Sequence, residues 1–204
     1  MSVSRHFVLA AGGTGGHMVP AHAVAEELMQ RGHHVALVTD ERGAKIPGLF
    51  NDVAVHVLPA GRMQGGPMGW IRGLRAIREG REMARRMYGT FRPSVVCGFG
   101  GYPALPALLA ALKEDIPTAV HEQNAVLGRV NRLLAHRVNA IATAYPDIER
   151  LSPKHLDKVH LVGNPVRAEV LALRDEEFPA LSDESVFRLL VTGGSQGATI
   201  LSSV

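Results

Sequence analysis

Cysteine is nearly missing from these 204 residues: Cys97 stands alone. One thiol closes no internal disulfide, so a reducing compartment is the expected setting. Aromatic residues make up only 5%, which leaves little surface for stacking bases and argues against a nucleic-acid partner. No run of about 18 apolar residues occurs, so no segment is expected to cross a membrane. Residues 1–11 form one short apolar run with no basic stretch ahead of it, and no secretory leader is expected there. An Asp-x-Asp pair is also missing, and the histidines are scattered rather than set at ligand spacing with carboxylates. No protein-bound metal is expected.

What is present suits a folded, soluble α/β chain. Hydrophobic residues make up 46% and charged residues 20%, far from a disordered composition. The formal charge of +3 is uneven: eight arginines (62, 72, 75, 78, 81, 85, 86 and 92) face only Glu79 and Glu82 in that stretch. A local basic surface follows, and with it an anionic partner.

Short apolar runs alternate with helical patterns. Strands are expected at His6–Ala11, Val35–Thr39, Val53–Leu58, Ser94–Cys97, Thr118–Val120, Val138–Thr143 and Val159–Val162. Helices are expected at Pro20–Arg31, Trp70–Tyr88, Pro103–Lys113 and Leu127–Ala135, with a glycine-rich loop over 61–69. This alternation predicts a Rossmann-like parallel sheet with helices on both faces. Residues 1–168 are expected to form that domain and 169–185 a linker, acidic over 174–185. Residues 186–204 read as a strand, a glycine turn and a helix start. They are too few to bury a core of their own, so a second, truncated domain is the expectation.

GGTGGH (12–17) lies between the first strand and the first helix. The carboxyl end of a strand is where ligands bind in such sheets. Glycines let backbone approach a ligand closely, and unpaired N–H groups at the helix start favour an anion such as a diphosphate. The run is not a dinucleotide fingerprint, because Thr14 or Met18 breaks the G-x-G-x-x-G spacing in either phase. Asp40 ends the second strand, where a ribose-binding acid sits in nicotinamide enzymes. A nicotinamide-dependent oxidoreductase therefore stands as the alternative. His17 closes the loop at the mouth of the expected cleft, where a neutral imidazole can take a proton from a hydroxyl. GFGGY (98–102) is a second glycine turn ahead of a helix. Two such turns side by side present many N–H donors to one diphosphate. His121 and Glu122 read either as site residues or as a structural pair bonded to each other.

Five segments occur in a telling order: GGTGGHMVPAHAVAEEL (12–28), GFGGYPALP (98–106), HEQNAVLGRVNRLLA (121–135), GNPVR (163–167) and GGSQGA (193–198). Together they resemble the GT-B family of bacterial cell-wall glycosyltransferases. That family transfers N-acetylglucosamine from UDP-N-acetylglucosamine to the undecaprenyl-diphospho-muramoyl-pentapeptide precursor of peptidoglycan, with inversion. The resemblance implies that residues 1–168 form the amino-terminal, acceptor-binding domain. It implies donor contacts at Thr14, Gly15, Gly16, Asn124, Arg167 and Ser195. It implies a cradle for the acceptor diphosphate at Gly13, Gly15, Gly16, Gly100 and Gly101. His17, as a candidate base, and Tyr102 fall near the reacting centre. No chemically bonded cofactor is implied; magnesium carried by the nucleotide is left open. Peripheral attachment to the cytoplasmic face of the inner membrane is also implied.

Trp70, Ile71, Leu74 and Ile77 alternate with Arg72, Arg75 and Arg78. For most of this helix the expected reading is an apolar stripe packed on the sheet. Its opening, GGPMGWIRG (65–73), is the part expected to meet an anionic membrane surface.

Overall fold

The computed structural model of the chain describes residues 3–61, 66–177, 186 and 189–193. The chain divides into two compact units, Met1–Arg167 and Ala168–Val204. In the first, β1 (His6–Ala11), β2 (His34–Thr39), β3 (Ala54–Val57), β4 (Val95–Gly100), β5 (Thr118–Glu122), β6 (Ala140–Thr143) and β7 (Val159–Leu161) form one sheet. Its order is β3-β2-β1-β4-β5-β6-β7, with every neighbouring pair parallel. The helices are α1 (Gly15–Gln30), α2 (Gly66–Phe91), α3 (Ala104–Lys113) and α4 (Arg129–Leu134). The expected Rossmann-like fold is the one observed. Its strand order reverses between β1 and β4, which opens a crevice at their carboxyl ends.

Strand alternation builds the two sides of the core. Val8 and Ala10 of β1, with Ala36 and Val38 of β2, pack against Ile77, Ala84 and Tyr88 of α2 and Leu105 and Leu108 of α3. The intervening Leu9, Ala11, Val35 and Leu37 pack against Met18, Ala21 and Ala25 of α1. Both faces being buried explains why the strands read as unbroken apolar runs. Cys97 lies on β4; burial pushes its thiol up to about 12, so it stays protonated and poorly nucleophilic.

Four elements depart from the sequence reading. Helix α1 starts at Gly15 rather than Pro20, because the two glycines and His17 already form its first turn. Pro20 then sits inside the helix and costs the bond to the Gly16 carbonyl. Helix α2 starts at Gly66, so residues 66–69 of the expected loop are helical; Pro67 suits an opening turn. Residues 62–65 lie outside the described residues. Strand β4 runs on to Gly100, carrying the second glycine motif in extended form up to its turn. In the second unit α5 (Ala168–Ala172) occupies the opening of the expected linker. Val186 and residues 189–193 carry no regular secondary structure, and Val186, Leu189 and Leu190 are exposed. The rest of 178–204, including Ser195, lies outside the described residues.

Candidate active site

The two glycine turns touch. β1 and β4 are neighbours, and their register slips between Ala10 and Ala11 so that Ala11 faces Gly100. A Cβ on Gly12 would lie 2.3 Å from Cδ of Pro103, and one on Gly101 would lie 3.2 Å from the Gly12 carbonyl oxygen. Only glycine at position 12 lets the loops close on each other. Gly12→Ala is expected to destabilise the chain by about 1–3 kcal/mol, since the rigid proline ring cannot swing away. A fall in the urea midpoint with an unchanged slope checks this.

At the start of α1, the first backbone bonds come from the N–H groups of His17 and Met18 to the Thr14 carbonyl, each 3.1 Å. Thr14 is the N-cap residue and makes no side-chain cap bond, so the N–H groups of Gly15 and Gly16 precede the helix's own ladder. At α3, Ala104 N–H bonds Gly101 O and Leu105 N–H bonds Tyr102 O, each 3.2 Å. Gly13, Gly100 and Gly101 hold φ of 62°, 96° and 79°. At Gly100 the left-handed backbone is combined with a close neighbour: an added Cβ would stand 3.0 Å from Cε1 of His17. The ring lies directly over this glycine.

His17, Gly100, Gly101, Tyr102, Glu122, Asn124, Gly128, Arg129, Val130 and Asn131 line one cleft of about 210 Å³ at this crevice. His17, Tyr102, Asn124 and the second glycine turn therefore come together, with Thr14, Gly15 and Gly16 at the adjoining helix start. Arg167 is exposed at the end of the first unit and is not among the cleft's lining residues.

Sequence reasoning left Glu122 open and missed Arg129 and Asn131. Glu122 is buried, and both carboxylate oxygens are fully used. Oε1 accepts from Asn124 N (3.1 Å) and Nδ2 (3.0 Å), and Oε2 from Gly128 N (2.8 Å) and Asn131 Nδ2 (3.0 Å). This carboxylate folds the loop that presents Asn124 and starts α4. Arg129 donates from Nη1 to the Tyr102 hydroxyl at 3.4 Å, which puts a cation on the rim. Asn131 is buried, and among the described residues its Oδ1 has no partner. Their signal was the spacing Glu122, Gly128, Asn131, which only a folded turn makes legible.

His121 and Glu122 do not form the pair that was one reading of them, because they point to opposite sides of β5. His121 Nε2 bonds the Gly163 carbonyl oxygen at 3.0 Å. Burial lowers the His121 pKa, outweighing the Gly163 carbonyl and Glu122, which raise it. The folded chain thus resists protonating a group that the unfolded chain protonates below about pH 6.5. His121 stabilisation is complete above that pH and is lost as pH falls from it through the lower folded value. His121→Gln is expected to reduce the acid-side slope of stability by up to about 1.4 kcal/mol per pH unit, read from urea midpoints across pH 5–7.5.

Asp40 is also engaged. Oδ1 accepts from Gly43 N at 2.9 Å, and Oδ2 from Arg42 Nε and Nη2 at 3.2 and 3.1 Å. Its carboxylate holds a tight turn in place rather than waiting for a ribose, so the nicotinamide alternative loses the residue that carried it.

A parallel sheet reversing at β1/β4, with paired glycine turns at that reversal, defines a Rossmann-like domain with its ligand crevice at the switch point. The chain belongs to glycosyltransferase family 28: residues 7–143 match the model of the family's N-terminal domain. It is 68% identical, over all of its length and 52% of the relative's, to the UDP-N-acetylglucosamine–N-acetylmuramyl-(pentapeptide) pyrophosphoryl-undecaprenol N-acetylglucosamine transferase of Novosphingobium aromaticivorans. The transferase of the same name from Erythrobacter litoralis is 66% identical over 98% of this chain and 50% of its own. Among solved structures, MurG of Acinetobacter baumannii superposes with a TM-score of 0.65 at 28% identity, covering 86% of this chain and 50% of that one. The calicheamicin glycosyltransferase CalG4 shares the fold alone, with a TM-score of 0.54 at 15% identity over 79% of this chain and 53% of that one. The chain spans about half the length of the curated relatives it matches.

Proposed function

We propose that this chain is the acceptor-binding part of an inverting transferase that moves N-acetylglucosamine from UDP-N-acetylglucosamine to a polyprenyl-diphosphate-linked muramoyl-pentapeptide. The observation that carries the reading is a cleft lined by the second glycine turn and His17, with the first glycine turn touching it, in a chain 68% identical along its whole length to a transferase of that name. The acceptor's C4 hydroxyl attacks the anomeric carbon of the donor, and UDP leaves. His17 takes the hydroxyl proton. The N–H groups of Gly13, Gly15, Gly16, Gly100 and Gly101 cradle the acceptor diphosphate, with Arg129 adding charge at the rim. Tyr102 bonds the reacting sugars. Thr14, Gly15, Gly16, Asn124 and Arg167 contact the donor; Ser195, a donor contact by the resemblance alone, lies outside the described residues. Fixed dipoles and cations suffice for these steps, so the proposal needs no protein-bound metal or other cofactor.

The acceptor's lipid tail ties the site to a membrane. Met68, Trp70, Ile71 and Leu74 are exposed at the opening of α2, next to Arg72, Arg75 and Arg78, while Gly73, Ile77, Gly80, Ala84 and Tyr88 form the buried stripe. Among the described residues no helix is long and apolar enough to cross a membrane. The proposed setting is peripheral, with this end of α2 resting on the anionic cytoplasmic face of the inner membrane. Changing Trp70 and Ile71 together to serine is expected to lower partitioning onto anionic vesicles on the order of tenfold. Co-sedimentation with anionic and zwitterionic vesicles measures this, and equal binding by the variant removes the docking role.

Calorimetry tests the acceptor reading. A short-chain muramoyl-pentapeptide diphosphate lipid is titrated into the chain, with UDP-N-acetylglucosamine and NAD as comparators. The acceptor analogue is expected to bind, and Gly15→Ala to weaken it. A Cβ at Gly15 meets nothing within 4 Å, so that variant fills ligand space without disturbing the protein. A folded chain that binds NAD and not the acceptor analogue defeats the proposal.

A further inference from the structure

Behind the cleft runs a row of polar groups with a fixed direction. His17 Nδ1 lies 3.2 Å from Gln123 Oε1. Gln123 Nε2 lies 3.0 Å from His121 Nδ1 and 3.3 Å from the His121 carbonyl oxygen. His121 Nε2 lies 3.0 Å from the carbonyl oxygen of Gly163. The Gly163 N–H is tied back to the Thr143 carbonyl at 3.2 Å, so the far end of the row is anchored to β6.

Two of these groups can only accept, and that orients the rest. Facing the Gly163 carbonyl, His121 Nε2 must carry its proton. In the neutral ring Nδ1 is then an acceptor. Gln123 Nε2 faces that acceptor and the His121 carbonyl oxygen as well, so this end of the amide must be the NH₂ group. Its Oε1 is thereby turned to His17 and can only accept. His17 Nδ1 must donate, and the lone pair of the neutral ring is left on Nε2, which has no protein partner among the described residues. Packing holds the row: the ring centroids of Phe99 and His121 are 5.6 Å apart, and Gly100 lies against the His17 ring.

We infer that Gln123 and His121 are positioning residues that hold neutral His17 as its Nδ1–H tautomer and keep the Nε2 lone pair available to a substrate hydroxyl. The functional meaning rests on His17 being the base of the proposed transfer; the tautomer itself does not. An unconstrained histidine side chain favours the proton on Nε2, which leaves no lone pair on that nitrogen. A glutamine here orients the ring without adding charge, whereas a carboxylate partner would raise its basicity.

The test is a long-range ¹H–¹⁵N correlation spectrum of the histidine-labelled chain at alkaline pH, where imidazoles are neutral. The His17 signals are assigned by their loss in His17→Asn. His17 is expected to show a protonated Nδ1 and an unprotonated Nε2. Gln123→Met, similar in length but with no acceptor oxygen, is expected to move the proton to Nε2 or to an average of the two. Gln123→Glu keeps an acceptor oxygen toward His17 and is expected to keep Nδ1–H there, while its second oxygen cannot donate to His121 Nδ1 and loosens that end of the row. A wild-type His17 with its proton on Nε2, or one that Gln123→Met leaves unchanged, overturns the inference. If Gln123→Met does not fold, as seen in its amide spectrum, the wild-type and Gln123→Glu spectra still decide. Transfer assays on His17 variants test the base separately, so either reading can fail without the other.

Discussion

His17→Ala, placed in a transferase of the relatives' full length, is expected to lower kcat by about 10²–10⁴-fold, the range that a positioned general base contributes. The ring stands over Gly100, between two turns proposed to grip the diphosphate, and bonds Gln123. Removing it leaves the glycine N–H groups in place. Substrate binding is therefore expected to survive, with KM for both substrates within about threefold of wild type. Single-turnover transfer of labelled N-acetylglucosamine isolates the chemical step. A kcat within about threefold of wild type means the proton leaves by another route, and His17 is then only packing over the glycine turn.

Glu122→Gln is expected to destabilise the chain by about 1–3 kcal/mol. The carboxylate is 2% exposed and accepts bonds on both oxygens, two from backbone N–H groups and two from the amides of Asn124 and Asn131. A glutamine fits the space, but its NH₂ must face two donors whichever way it turns. Two N–H groups then lose their partner, and the loop from Gln123 to Gly128 loses its anchor. A lower urea midpoint with an unchanged slope measures the loss. A change below about 0.5 kcal/mol means water reaches these donors and the carboxylate is not the organiser of the loop. The variant also carries a functional consequence, because Asn124 and Arg129 owe their positions to that loop.

The sheet was legible because both of its faces are buried: apolar runs such as HFVLAA and HVALVT have no other use in a chain of this length. The two glycine turns were legible for a chemical reason, since a run like GGTGG between a strand and a helix exceeds what a simple turn needs. Helix starts were less legible. Glycines are poor helix formers, so α1 was expected only from Pro20, yet its first turn is Gly15, Gly16 and His17. Tertiary packing of Met18 and Ala21 outweighs that local cost. The roles within HEQN were the least legible. Strand alternation sends His121 and Gln123 to one side and Glu122 and Asn124 to the other, which matches the bonds observed. The sequence alone marks Asn124 as a donor contact through the resemblance, leaves His121 and Glu122 open, and gives Gln123 no role. What each bonds depends on Gly163, Gly128 and Asn131, whose approach only the folded loops create.

The most direct test of the central claim, that the paired glycine turns receive the acceptor diphosphate, is an amide NMR titration of the chain with the short-chain muramoyl-pentapeptide diphosphate lipid. The account predicts saturable shifts at the N–H groups of Gly15, Gly16, Gly101 and Tyr102, with smaller ones at Arg129. Shifts confined to the opposite, amino-terminal edge of the sheet, around the hollow lined by His6, His33, His34 and Asp52, would contradict it.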